Sequence, residues 1–213
     1  MQRAVSRKLW YEASLLFVAL PIIMAFPISA WVKLVSALAA VIYVVATLYT
    51  NKQFNRDVLI SLGNRPQWRR VLIKFGLFAL VSTVLVAYFL PDKLFVVPFE
   101  YTLMWLAISV FYVVFSVYPQ ELIYRQFFFF RYRVLVEKES VFIALNAMLF
   151  CLAHLLFWNS IVLALTLAGG FLFAYTFSRS RSLMFTSIEH SFYGLWLFTL
   201  GIGEMLAFPM PAS

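Results

Sequence analysis

Four ionisable side chains lie within stretches that are otherwise strongly apolar. Glu121 and Arg125 are four residues apart, which places them on one face of a helix, and His154 and His190 are the only two histidines. An ionisable group is costly in apolar surroundings and usually marks a functional site. A carboxylate with two imidazoles can activate a water molecule, and the same three groups can instead bind zinc.

Each of these residues also has a purely structural interpretation. Glu121 and Arg125 can simply neutralise each other, and we expect this ion pair whatever the function. A single buried histidine more often joins two helices by a hydrogen bond than takes part in catalysis. Two histidines together with a carboxylate favour function. Cys151, three residues before His154, is more simply a small packing residue than a nucleophile.

The composition indicates which elements must position these groups. Of the 213 residues, 64% are hydrophobic and 12% are charged, whereas soluble domains are about half apolar and a quarter charged. A soluble chain of this length cannot bury so much apolar surface. We therefore predict an all-α, polytopic transmembrane helix bundle, with residues 1–213 as a single membrane-embedded domain. About seven stretches can cross a bilayer: 10–28, 31–50, 71–90, 101–120, 141–158, 160–177 and 183–206.

The basic residues predict the orientation of the chain. With a cytoplasmic amino terminus, fifteen of the seventeen Lys and Arg residues are cytoplasmic, and only Lys33 and Lys93 fall outside. The positive-inside rule favours this orientation, and we expect a multi-pass protein of a bacterial-type plasma (inner) membrane. Because topology already explains the net charge of +8, we expect no nucleic-acid partner.

The fourth apolar stretch is unusually long. It continues past Pro119 through Phe127–Phe130 to about Leu135. One straight helix over 101–135 would measure about 50 Å, well over the ~30 Å hydrocarbon core. We therefore expect a bend or break near Pro119, whose ring removes a backbone hydrogen bond. We expect the four phenylalanines to face lipid or the interface.

The helical rise gives the depth of the three candidate catalytic groups. Glu121 would lie about 15 Å, His154 about 20 Å and His190 about 12 Å from the cytoplasmic face. Because these depths are similar, the three groups can form one site inside the bundle, accessible from the cytoplasmic leaflet.

The residues around these groups resemble the CPBP family of intramembrane proteases, also called the Abi family, which includes CAAX proteases and bacteriocin-processing enzymes. That family shows a Glu-Glu-x-x-x-Arg motif, then Phe-x-x-x-His on the next helix, then His-x-x-x-Asn on a later helix. The similar segments here are Gln120–Arg125, Phe150–His154 and His190–Gly194. The resemblance covers about residues 115–200, the expected protease core.

The resemblance implies an intramembrane endopeptidase that hydrolyses peptide bonds of a peptide or membrane-protein tail within the lipid bilayer. Glu121, positioned by Gln120, and His154 would activate a water molecule. His190 would stabilise the oxyanion, and Arg125 would hold Glu121. We expect no cofactor. Zinc bound by Glu121, His154 and His190 is the alternative.

Two positions depart from the family pattern. Gln120 stands where the first Glu is expected and cannot accept a proton, and Gly194 stands where the Asn would donate to the oxyanion. Glu121 can itself serve as the base, and Asn159 or Ser191 can supply the missing donor. Otherwise the chain is a catalytically silent relative that acts as an immunity, chaperone or regulatory membrane-binding subunit. A small transporter is a third hypothesis, which the lack of internal repeats disfavours.

Overall fold

The computed structural model describes residues 2–206, which form helices and short connections with no β-strand in that range. Six helices are long and apolar enough to cross a membrane. They and a seventh, 17-residue helix run Ser6–Ala25 (α1), Ala30–Thr50 (α2), Arg65–Phe89 (α3), Thr102–Leu135 (α4), Glu139–Phe157 (α5), Ser160–Ser180 (α6) and Leu183–Thr199 (α7). The predicted all-α, polytopic fold class is confirmed. The count of seven spans and the cytoplasmic amino terminus stay predictions.

The helices belong to two compact units. The first comprises the chain up to Asp57 together with Gln120–Arg179, and the second comprises Val58–Pro119 together with the chain from Ser180 onward. The first unit therefore contains α1, α2, the second half of α4, α5 and nearly all of α6. The second contains α3, the first half of α4 and α7. The assignment of residues 1–213 to a single domain stays a prediction.

Large apolar side chains stand exposed along several helices. Leu103 is 84% exposed, Phe99 81% and Tyr88 79%. Extensive apolar patches of this kind are unfavourable in water and mark membrane or protein contact. In a bilayer the same side chains face hydrocarbon, which agrees with the lengths of the helices.

Helix α4 continues through Pro119 without a break. Two π-helical stretches, Tyr112–Val117 and Leu122–Phe127, flank the proline. A π-helical turn holds one more residue than an α-helical turn, and such turns are frequent at functional sites. A break at Pro119 is therefore wrong, because the helix accommodates the proline between two irregular stretches instead of ending there. The expected alternative, a bend near Pro119, stays a prediction.

An aromatic core packs around the second half of α4 in the first unit. Phe17 of α1 is fully buried, and its ring meets Tyr124, Phe128 and Tyr132 edge to face, with centroids 5.2, 5.1 and 5.8 Å away. This geometry is the preferred one for aromatic pairs. Phe17 therefore ties the first predicted span to the helix that carries Glu121.

The phenylalanine run of α4 faces protein. Phe127, Phe128 and Phe129 are 0, 1 and 4% exposed. Phe128 and Phe129 pack against Phe142 of α5, and Phe129 also contacts Phe177 of α6. The expectation that this run faces lipid is wrong for these three residues, because rings from the neighbouring helices cover them.

In the second unit, side-chain caps define where α3 and α7 begin. Asn64 and Gln67 form a capping box, in which each side chain accepts a hydrogen bond from the other's backbone N–H. Ser182 accepts from the Phe185 N–H at the start of α7 and donates its hydroxyl to the Ser61 carbonyl. The cap fixes the residue from which α7 starts, and thus the face on which its histidine lies.

Candidate active site

The ion pair of α4 is fully buried. Glu121 and Arg125 each have no exposed side-chain surface, and Glu121 Oε2 lies 3.4 Å from Arg125 Nε. The predicted pairing of these two residues is therefore confirmed. Gln120, the preceding residue, is only half-buried. The π-helical stretch that starts at Leu122 follows directly, so Arg125 sits where the helix is locally widened.

Two neighbouring helices hold the guanidinium of Arg125. Its Nη1 donates to Asn146 Oδ1 of α5 at 2.7 Å, and its Nη2 lies 3.5 Å from the Gly170 carbonyl oxygen of α6. Asn146 in turn donates from Nδ2 to the Tyr124 carbonyl at 2.6 Å. A Cβ at Gly170 would come within 2.9 Å of the Ala147 carbonyl oxygen, so only glycine allows α6 this close to α5. Contacts with two helices, in addition to the ion pair with Glu121, thus hold Arg125 in position.

Phe150 joins this ion pair to the histidine of α5. The Arg125 guanidinium carbon stands 4.7 Å from the centre of the Phe150 ring, close enough for a cation–π interaction. The His154 ring packs against the same ring, with centroids 4.7 Å apart. The motif residues of α4 and α5 therefore share one aromatic neighbour inside the first unit.

The backbone selects one tautomer of His154. This side chain is buried, and its Nδ1 lies 2.8 Å from the Phe150 carbonyl oxygen. Because a carbonyl oxygen can only accept, Nδ1 is the donor, and in the neutral ring Nε2 carries the lone pair. That tautomer can accept a proton or a hydrogen bond from water at Nε2.

Asn159 has a structural role at the start of α6. Its Oδ1 accepts from the backbone N–H groups of Ile161 at 2.9 Å and Val162 at 3.2 Å. This is the hydrogen-bonding pattern of a helix N-cap. The suggestion that Asn159 supplies an oxyanion donor stays a prediction.

The second unit holds the other histidine beside a tyrosine that was not among the predicted site residues. His190 of α7 is buried, and its Nε2 lies 3.3 Å from the Tyr112 hydroxyl oxygen of α4. Their rings are nearly perpendicular, with centroids 6.2 Å apart. Tyr112 is one of eleven tyrosines in the chain, and nothing in its local sequence distinguishes it from the others. The predicted convergence of His190 with Glu121 and His154 stays a prediction.

A second ion pair precedes His190 in α7. Glu189 is fully buried, and its Oε1 lies 2.7 Å from Lys74 Nζ of α3, whose side chain is 36% exposed. Lys74 therefore reaches inward from a partly exposed position to neutralise a buried carboxylate. This pair links α3 to α7 immediately next to the candidate histidine.

The arrangement of the His, Cys, Asp and Glu side chains bears on whether the candidate site can bind a metal ion. Among residues 2–206, no group of three or more His, Cys, Asp or Glu side chains is arranged to hold a metal ion. The Glu121 carboxylate is already paired with Arg125, whose positive charge opposes a second cation at the same oxygens. The metal-free expectation and the zinc alternative both stay predictions.

Part of the chain matches a known family of proteins. Residues 98–196 match the family model described as Rce1-like, type II CAAX prenyl endopeptidase Rce1-like. That segment contains Glu121, Arg125, His154 and His190. No curated protein and no solved structure matches the chain. The predicted resemblance to the CPBP family is confirmed, and the chain is a multi-pass integral membrane protein with a CAAX-protease-type, Rce1-like segment at residues 98–196.

Proposed function

We propose that this protein is an intramembrane endopeptidase that hydrolyses a peptide bond in a peptide or membrane-protein tail. The observation that carries the proposal is the buried network of Glu121, Arg125 and Asn146, joined through Phe150 to His154, within the Rce1-like segment. Ionisable groups are placed among membrane helices at considerable cost, and usually for function. The membrane is proposed to be a bacterial-type plasma membrane, with substrate access from the cytoplasmic leaflet.

In the proposed mechanism, Glu121 and His154 activate a water molecule. Glu121 takes a proton from the water, while His154 Nε2 accepts a hydrogen bond and orients it. The water oxygen bonds to the scissile carbonyl carbon, and the carbonyl electron pair moves to its oxygen. The proton held by Glu121 then passes to the amide nitrogen as the C–N bond breaks, which releases an amine and a carboxylic acid.

The other motif residues support these steps. Arg125 balances the charge of Glu121 and, through Asn146, holds the carboxylate in one orientation. His190 donates a hydrogen bond to the oxyanion of the tetrahedral intermediate. Gln120 helps to position Glu121 and takes no proton, since an amide is not a base.

A test of this proposal measures cleavage by the purified protein in detergent. The substrates are fluorescence-quenched membrane-protein tails and a farnesylated peptide ending in a C-a-a-X sequence, each beside its unmodified form. Glu121→Gln and His154→Ala are each expected to lower kcat by about 10²–10⁴-fold. Glu139→Gln is the matched control, because Glu139 is an exposed acid at the start of α5.

Equal kcat values for the parent and both site variants would show that neither residue activates water. The departures at Gln120 and Gly194 favour one other candidate, a catalytically silent relative that binds membrane proteins. That candidate predicts no cleavage by the parent on any of these substrates. Cleavage that appears only after Gln120→Glu would identify a silenced protease and favour the binding role.

A further inference from the structure

Tyr112 and Gly194 occupy the same space in the second unit. Gly194 follows His190 by one turn of α7, so a side chain at position 194 would lie on the face that carries His190. A Cβ built on Gly194 overlaps the Tyr112 hydroxyl oxygen and the adjoining ring carbons. Any side chain at 194 would therefore have to displace the Tyr112 ring, and the Tyr112 hydroxyl stands where that side chain would begin.

This placement gives Tyr112 the hydrogen-bonding capacity that position 194 lacks. A phenol carries an O–H donor, as the amide of an asparagine carries N–H donors. The hydroxyl oxygen lies 3.3 Å from His190 Nε2. Within this contact one group donates to the other, so both can donate to a substrate oxygen only when the His190 ring carries Nε2–H and neither group donates to the other. At a separation of 3.3 Å, both heavy atoms can then lie about 2.7–3.1 Å from a single oxygen atom, which is the geometry that stabilises an oxyanion.

The surroundings of Tyr112 keep its hydroxyl in place. The residue is buried, and its ring meets Phe198 edge to face with centroids 4.9 Å apart. Ile108 and Val117 of α4 belong to the same apolar cluster. Tyr112 also begins the first π-helical stretch of α4. A donor held by packing needs little reorganisation when charge develops on the substrate oxygen.

We propose that Tyr112 is a catalytic residue that donates, together with His190, a hydrogen bond to the oxyanion in place of the asparagine that the motif has at position 194. This inference rests on the proposed protease function. It also explains why glycine at 194 is compatible with activity: glycine leaves the space that the tyrosine ring fills.

The experiment compares kcat and KM for five proteins on the cleaved quenched peptide: the parent, three single variants and one double variant. Tyr112→Phe removes only the hydroxyl and keeps the ring, and it is expected to lower kcat by about 10²–10³-fold with little change in KM. Tyr132→Phe is the matched control. It removes another α4 hydroxyl, one that donates to Glu12 at 2.7 Å, and it is expected to leave kcat unchanged.

A double variant tests directly whether an asparagine at position 194 can replace the Tyr112 hydroxyl. Tyr112→Ala with Gly194→Asn removes the ring and restores the amide, and it is expected to recover at least about tenfold in kcat over Tyr112→Ala alone. A kcat for Tyr112→Phe within about threefold of the parent would overturn the inference. So would a folded double variant with no gain over Tyr112→Ala.

The outcomes separate this inference from the proposed function. A parent that cleaves and a Glu121→Gln variant that does not, with Tyr112→Phe unchanged, overturn only the role of Tyr112. A parent that cleaves none of the peptides overturns the proposed protease itself.

Discussion

Asn146 is the residue whose replacement tests the buried network most directly. It accepts from Arg125 Nη1 at 2.7 Å and donates to the Tyr124 carbonyl at 2.6 Å, and it has no exposed surface. Asn146→Ala removes both hydrogen bonds and leaves a guanidinium N–H and a carbonyl buried beside a small gap. A bond to a charged group contributes about 1.5–3 kcal/mol and a neutral one about 0.5–1.5 kcal/mol, so we expect the free energy of unfolding to fall by about 2–4.5 kcal/mol.

The assay is equilibrium unfolding in mixed micelles with increasing sodium dodecyl sulfate, followed by the fluorescence of the six tryptophans. Asn55→Ala is the control, since Asn55 is exposed and its Oδ1 accepts one hydrogen bond, from the Asp57 N–H. We expect the control to change the free energy of unfolding by less than about 0.5 kcal/mol. In the cleavage assay, Asn146→Ala should also lower kcat, because Arg125 no longer holds Glu121 in one orientation.

A result near that of the control would refute this reasoning. If Asn146→Ala changed the free energy of unfolding by less than about 0.5 kcal/mol, the two hydrogen bonds would not hold α4 to α5. A fall in the free energy of unfolding as large as expected, with an unchanged kcat, would separate the two roles of Asn146. Asn146 would then support the fold, and Arg125 would hold Glu121 without it.

Three further predictions concern other parts of the molecule. Lys74→Met should lower the free energy of unfolding by about 1.5–3 kcal/mol, because it removes the ion pair of buried Glu189. Adding Glu189→Gln to this variant should recover part of the loss in the same unfolding assay. Asn159→Ala should lower the free energy of unfolding by about 1 kcal/mol through loss of the α6 cap. A steady-state assay should show an unchanged kcat. A large fall in kcat would instead support Asn159 as an oxyanion donor. Cleavage should survive 1,10-phenanthroline, since the proposed mechanism uses Glu121 and His154 to activate water without a metal. A loss of cleavage that added zinc reverses would contradict this.

The sequence was sufficient to predict the Glu121–Arg125 pair because residues four apart on a helix are neighbours wherever the helix lies. It also contained an unused signal for Asn146. Asn146, Phe150 and His154 are spaced by four residues and therefore line one face of α5. A polar residue on the face of a candidate catalytic histidine is a plausible partner for a neighbouring motif residue, and Arg125 is the residue it binds.

Other features were beyond the sequence for physical reasons. Phe127–Phe130 has no periodicity, and lipid is as apolar as a protein interior, so hydrophobicity does not distinguish the two environments. The π-helical stretches of α4 change which faces its residues present, and helical spacing does not reveal them. Tyr112 was not predicted because its contact with His190 joins residues 78 positions apart on different helices.

The overlap between a side chain at Gly194 and the ring of Tyr112 limits the order in which relatives can exchange these residues. A lineage that starts with asparagine at 194 has no room for a large ring at 112 until the asparagine is lost. The opposite order requires the tyrosine to be lost first. Covariation is therefore expected across an alignment of the family, with asparagine at 194 accompanied by a small residue at 112. Sequences that carry glycine at 194 and a small residue at 112 would mark the intermediate step.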